Sequence, residues 1–166
     1  MIIPTRLLKS AAKGDLPLHQ AASELMNADD SNDDLGVVKN ILTAGKRTAI
    51  LALQAAATEF SDKINEEQEI LGLLADITID VYAIESAMLR TEKLMSKRGA
   101  EHCAIQIAMT RTYANDAAER IAQNGRALDA ALAASISSAN FHQAINTIAL
   151  RRQIAASLLE AGKYIW

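Results

Sequence analysis

Residues 70–90 read ILGLLADITIDVYAIESAMLR. Within them Ile70, Leu74, Ile77, Val81, Ile84 and Met88 recur in alternating steps of four and three. That spacing keeps one edge of an α-helix apolar over many turns and gives the seam of a near-parallel helical bundle. Upstream, the acidic turn Asn65-Glu66-Glu67 suits the positive end of a helix dipole; downstream, Lys93, Lys97 and Arg98 suit the negative end and Gly99 stops the helix. The sequence thus predicts one long helix from about Asn65 to Lys97.

The same period continues on both sides. A helix from about Leu35 to Asp62 aligns Val38, Ile41, Leu42, Gly45, Ala49, Ala52, Leu53, Ala56 and Phe60, and the small members invite close helix contact. A helix from about Glu101 to Ala134 presents Ile105, Met109, Tyr113, Ala117, Ile121 and Leu128, with Gly125 as a kink candidate, and Ser135-Ile136-Ser137-Ser138 ends it. A last helix takes Asn146 or Thr147 as its N-cap, buries Leu150, Ile154, Leu158 and Ala161, and stops at Gly162. Ahead of all four, Pro4–Lys13 and Pro17–Asn27 read as short lead-in helices. The expected organisation is a lead-in over residues 1–30 and a bundle over 31–166. The fold class is all-α: four long helices running up-down-up-down.

Composition agrees. Half the residues are apolar but only 4% are aromatic, with alanine dominant, so the core is made of small side chains that bring helix backbones together. Two prolines and seven glycines leave few turns, as few long elements require. A net charge of −3 supplies no basic field for nucleic acid. Cys103 is the only cysteine, so no internal disulfide forms and a reducing, cytoplasm-like compartment fits. The N-terminus lacks the pattern of a secretory signal, and the charge-free stretch Thr48–Thr58 is far short of the ~20 apolar residues of a membrane span.

Motifs of chemistry are absent. Di-iron bundles need Glu-x-x-His steps, but the residues three before His19, His102 and His142 are Leu16, Gly99 and Ala139. The acidic cluster Asp29–Asp34 lacks the glycine and closing glutamate of a calcium loop and reads as a solvated cap. Cys103 stands near a helix start with His102 beside it, yet adjacent residues diverge by about 100°, so a packed, inert thiol is the better reading. Phosphate-cradling loops and nucleophile elbows are missing too. The most prominent local feature is polar: Asp76, Asp80 and Glu85 interrupt the apolar seam helix. Asp76 and Asp80 share a face, where they could do acid–base work or meet arginines such as Arg151 and Arg152 from a neighbouring helix. The ion-pair or solvated reading is preferred, with Tyr82 and Arg90 joining the network or sitting at its rim. Arg151-Arg152 and the tail Tyr164-Ile165-Trp166 make a thin version of a membrane-surface helix.

Three stretches carry a resemblance that spans nearly the whole chain: Ile3-Pro4-Thr5-Arg6-Leu7-Leu8-Lys9 with Lys13-Gly14-Asp15-Leu16-Pro17-Leu18; Leu74–Arg90; and Asn146–Ala155 with Glu160-Ala161-Gly162-Lys163-Tyr164. Together they resemble the C-terminal region of long-chain-type acyl-CoA dehydrogenases, the branch that includes the very-long-chain enzyme and its bacterial relatives. The resemblance implies a parent enzyme that holds FAD and oxidises an acyl-CoA thioester to its trans-2-enoyl form, passing electrons to an electron-transferring flavoprotein. In that family the catalytic glutamate lies in a Tyr-Glu-Gly-Thr-Asn-Glu segment just before the connector, so the resemblance places the base ahead of Met1 and carries no catalytic or cofactor-binding residue onto this chain. It also implies docking on the chain's own upstream catalytic domains, a homodimeric parent, a cytoplasmic location and, from mitochondrial members, peripheral membrane contact. Read without the resemblance, the sequence also permits a free-standing helical-bundle adaptor or scaffold; an independent enzyme has least support.

Overall fold

The computed structural model describes residues 3–12, 34–133, 136 and 145–164. They form α1 (Ile3–Ala12), α2 (Gly36–Phe60), α3 (Gln68–Arg98), α4 (Ala104–Leu132) and α5 (Thr147–Ala161), and no strand occurs among the described residues. The four long helices alternate in direction. Lys39 and Lys46 of α2 meet Glu92 and Glu85 of α3 at 3.3 and 2.5 Å, an antiparallel register. Asp80 and Thr91 of α3 meet Arg120 and Thr110 of α4, again antiparallel. α5 runs back along α4, its first turn beside Arg120 and Arg126 and its middle beside Ile107 and Arg111.

The core lies between α2, α3 and α4. All six seam residues of α3 are buried, and Ile77 and Ile84 are wholly inaccessible. Of the α2 stripe, Val38, Ala52 and Ala56 are inaccessible while Ala49 and Phe60 are only partly covered. Gly45 shows why small residues are needed: a Cβ there would stand 3.1 Å from Val81 Cγ2 and 3.3 Å from Ile121 Cδ1, so α2 approaches both neighbours closely at this point. Lys39 and Lys46 hold the outer edges of the same contact.

Helix ends differ from expectation by a few residues. α2 stops at Phe60, and Ser61–Glu66 tighten into a 3₁₀ turn entered through Ser61 at φ 45°. Gly99 terminates α3 at φ 85°, a left-handed conformation suited to glycine. A further 3₁₀ turn, Ala100–His102, delays α4 to Ala104. α4 is continuous through the buried Gly125.

Two expectations about buried faces need correction. In the first half of α4, Ile105 and Met109 are only half-buried and Tyr113 is 36% exposed, whereas Cys103, Gln106, Thr110 and Ala114 face inward. The inward face begins with polar residues because they find partners there: Thr110 and Thr91 share a hydrogen bond of 2.8 Å between buried hydroxyls. From Ala117 through Ile121 to Leu128 the expected stripe is buried. In α5 no residue is fully buried; Leu150, Ile154 and Leu158 are half-covered and Ala161 is exposed, because this helix packs against the flank of α4 rather than into the core.

α1 reproduces the first lead-in helix and packs Leu7 against the core. The second lead-in helix and the Asp29–Asp33 cluster lie outside the described residues.

Candidate functional site: a charged seam on helix α4

The seven polar residues singled out in the sequence do not converge on one point. Asp80 turns toward α4, where its carboxylate accepts hydrogen bonds from Arg120 Nη2 at 2.6 Å and Nε at 3.0 Å. Its partner is therefore Arg120, not Arg151 or Arg152. Asp76, one turn earlier, is exposed, so the two carboxylates do not form a catalytic pair. Glu85 belongs to a different contact, with Lys46 of α2. Tyr82, Arg90 and Arg152 lie on exposed faces. Arg151 reaches α4 and donates through Nη2 to both oxygens of Asp116, at 2.7 and 2.8 Å.

The residues that complete the site come from α4. Asp116 and Arg120 are four apart and share a helix face, so Arg151, Asp116, Arg120 and Asp80 line up as alternating charges from α5 across α4 to α3. Tyr113 closes the far end. Its hydroxyl donates to Asp80 Oδ1 over a long 3.4 Å, and the Arg120 guanidinium stands 5.9 Å from the centre of its ring. Partial burial, reinforced by the Asp80 charge, raises the Tyr113 pKa above its ordinary 10.0. Hydrogen bonding to Asp80 raises Arg120 likewise, so the guanidinium stays charged. Sequence reasoning placed Tyr113 in a core stripe and did not single out Asp116 or Arg120. Their opposite charges at four-residue spacing were the available signal.

Two open clefts flank α5. One, of about 510 Å³, is lined by Arg151, Asp116 and Arg120 of this row with Arg126, Gln123 and Thr147. The other, of about 330 Å³, lies where α5 crosses the start of α4, between Arg111, Glu101, Asp34, Leu150 and Gln153. Arg111 Nε is buried there without a hydrogen-bond partner. Neither cleft fits a flavin, since both are open and charged, with no flat apolar slot for an isoalloxazine. Cys103 is inaccessible at the start of α4, and His102 pairs with Glu101 at 3.2 Å instead. Among the described residues no group of three or more His, Cys, Asp or Glu is placed to hold a metal ion, and no helix is long and apolar enough to cross a membrane. What the seam does is fasten α3, α4 and α5 together through charge.

Comparison with known proteins shows where such a bundle occurs. The family model for the acyl-CoA dehydrogenase C-terminal domain matches residues 44–152, from the middle of α2 into α5. The chain belongs to this family. A probable acyl-CoA dehydrogenase of Bacillus subtilis (strain 168) is 34% identical over 180 aligned positions, which cover 99% of this chain and 30% of the relative. The crystal structure of an acyl-CoA dehydrogenase complexed with FAD from Bacillus anthracis superposes with a TM-score of 0.89 at 28% identity, covering 99% of this chain and 31% of that one. This acyl-CoA dehydrogenase C-terminal domain thus spans about a third of the length of the relatives it matches. The charged seam lies wholly inside the family match.

Proposed function

We propose that this domain is the docking module of an FAD-dependent acyl-CoA dehydrogenase and that it attaches to the flavin-bearing part of the parent through the outer face of α5. The observation that carries the reading is the state of that helix. α5 is capped at Asn146, whose side chain accepts from the Ala149 amide at 3.0 Å, and pinned to α4 by Arg151, yet none of its residues is fully buried. One side, Leu150, Ile154 and Leu158, rests half-covered on α4. Another side holds Ile148, Arg152, Ala155 and Leu159, at steps of four, three and four. Ile148 and Leu159 are 61% and 83% exposed. An ordered helix with a second uncovered apolar edge is suited to a further partner. The relatives, about three times as long, supply one in the same polypeptide.

On this reading the parent oxidises an acyl-CoA to its trans-2-enoyl-CoA in fatty-acid β-oxidation, with FAD held outside this domain and electrons passed to an electron-transferring flavoprotein. The domain's contribution is architectural. The parent is a homodimer, as the resemblance implies. Membrane-surface contact has less support, because Arg151 is already neutralised by Asp116.

The test is binding of this domain to a separately prepared flavin-bearing portion of the parent, followed by isothermal titration. Wild-type domain is expected to bind, and Ile148→Asp with Leu159→Asp to abolish binding while leaving the domain helical. No binding by the wild-type domain, or binding indifferent to the double substitution, counts against the reading.

A further inference from the structure

We propose that the cleft where α5 crosses the start of α4 binds an extended polypeptide segment bearing a lysine or arginine, and that a main-chain carbonyl of the segment accepts from Arg111 Nε. The floor of the cleft follows from the sequence of α4. Ala104, Ala108 and Arg111 come at steps of four and three, so they share one face, and a helical side chain leans toward the N-terminus of its helix. Arg111 is thereby aimed back over two alanines, whose small side chains leave a space of about 330 Å³ beside α5. Its Nε is buried without a hydrogen-bond partner. No ion pair of Arg111 occurs among the described residues, although Asp34 and Glu101 line the same cleft. Buried polar atoms are ordinarily paired, and this one calls for an acceptor.

The groups around that donor select the occupant. Two carboxylates against one guanidinium leave the cleft negative, which disfavours a carboxylate or phosphate and favours a neutral carbonyl accompanied by a positive charge. Glu101 is held at the rim: a Cβ at Gly99 would collide with its carboxylate, so the glycine gives it room, and its Oε1 stands 3.2 Å from His102 Nδ1. Ile107 and Leu150 supply an apolar wall, and the Gln153 amide offers both a donor and an acceptor to a main chain. An extended peptide carries the complementary groups on neighbouring residues: a carbonyl for Arg111, a cationic side chain for Asp34 and Glu101, and an apolar side chain for Ile107 and Leu150. The volume lies at the lower end of the roughly 300–1,000 Å³ of specific ligand sites, so only a few residues of the segment enter. Leu150 and Gln153 stand on the opposite side of α5 from Ile148 and Leu159, so this site and the docking face succeed or fail separately.

Nuclear magnetic resonance of the nitrogen-labelled 166-residue chain tests this, with Arg111→Lys identifying the Arg111 Nε–H signal. The probe is the blocked peptide acetyl-Leu-Lys-Leu-amide, titrated to about 10 mM, with acetyl-Leu-Glu-Leu-amide and sodium acetate as controls. The lysine peptide is expected to move the Arg111 Nε–H signal saturably, with a dissociation constant of about 1 mM. The glutamate peptide and acetate should act at least about tenfold more weakly. Asp34→Asn together with Glu101→Gln should weaken binding of the lysine peptide at least about tenfold, with the helical circular-dichroism signal unchanged. No saturable movement of that signal, an equal response to either control, or a double variant that binds the lysine peptide as tightly as the unaltered chain would overturn the proposal.

Discussion

At the scale of single residues, the polar groups that matter are those whose partners are fixed. Asp80 is 7% exposed, and removing Arg120 would leave its carboxylate nearly buried without its principal donor. Because Arg120 is itself half exposed, solvent softens the loss. Arg120→Met should therefore cost about 1–2 kcal/mol, between the values for surface and buried pairs, read by urea denaturation. Tyr113 gives a pH dependence of definite sign. Its pKa is raised in the folded chain, so as pH climbs past 10.0 the unfolded chain loses this proton first and gains stability relative to the fold. Stability should fall from about pH 10 upward, and Tyr113→Phe should remove that part of the decline in a denaturation series. Thr91 and Thr110 make a stricter case, because their two hydroxyls share one hydrogen bond in the core. Thr91→Val alone should cost about 1–3 kcal/mol by stranding Thr110, and the double change to valine should recover most of it.

At the scale of elements, α2 and α3 were legible because their inward faces are apolar throughout and small residues fall where helices touch. Gly45→Leu, placed between Val81 and Ile121, should destabilise by about 1–3 kcal/mol, measured by thermal unfolding. The early register of α4 was not legible, since apolar periodicity counts neither Gln106 nor Thr110 as core. Ile105, Met109 and Tyr113 form a plausible stripe about one residue out of register. α4 ends on Ala133 in the left-handed region, at φ 48°. Ala133→Gly should relieve about 1 kcal/mol of that conformational cost and raise the unfolding midpoint. For α5 the pattern picked out Leu150, Ile154 and Leu158, which are half-covered on α4, but also Ala161, which is exposed, because amphipathicity does not name the surface that buries a stripe. The ion pairs had a similar limit. Arginines stand on four helices other than that of Asp80, and only the packed register chose Arg120 over Arg151.

At the scale of the whole molecule, among the described residues three long helices share a core, a fourth is fastened to their flank by charge, and apolar residues stand exposed on one edge of α5 and one of α3. Exposed apolar edges on a packed bundle suit a domain belonging to something larger. The chain's place in the acyl-CoA dehydrogenase C-terminal family, together with relatives about three times its length, gives that larger object a form. On the proposed function, this domain works as one part of a flavin enzyme's polypeptide. An immunoblot of source-cell lysate, with an antibody raised against this chain, tests it most directly. A native polypeptide about three times 17.9 kDa is expected; a band at 17.9 kDa would overturn the docking-module reading.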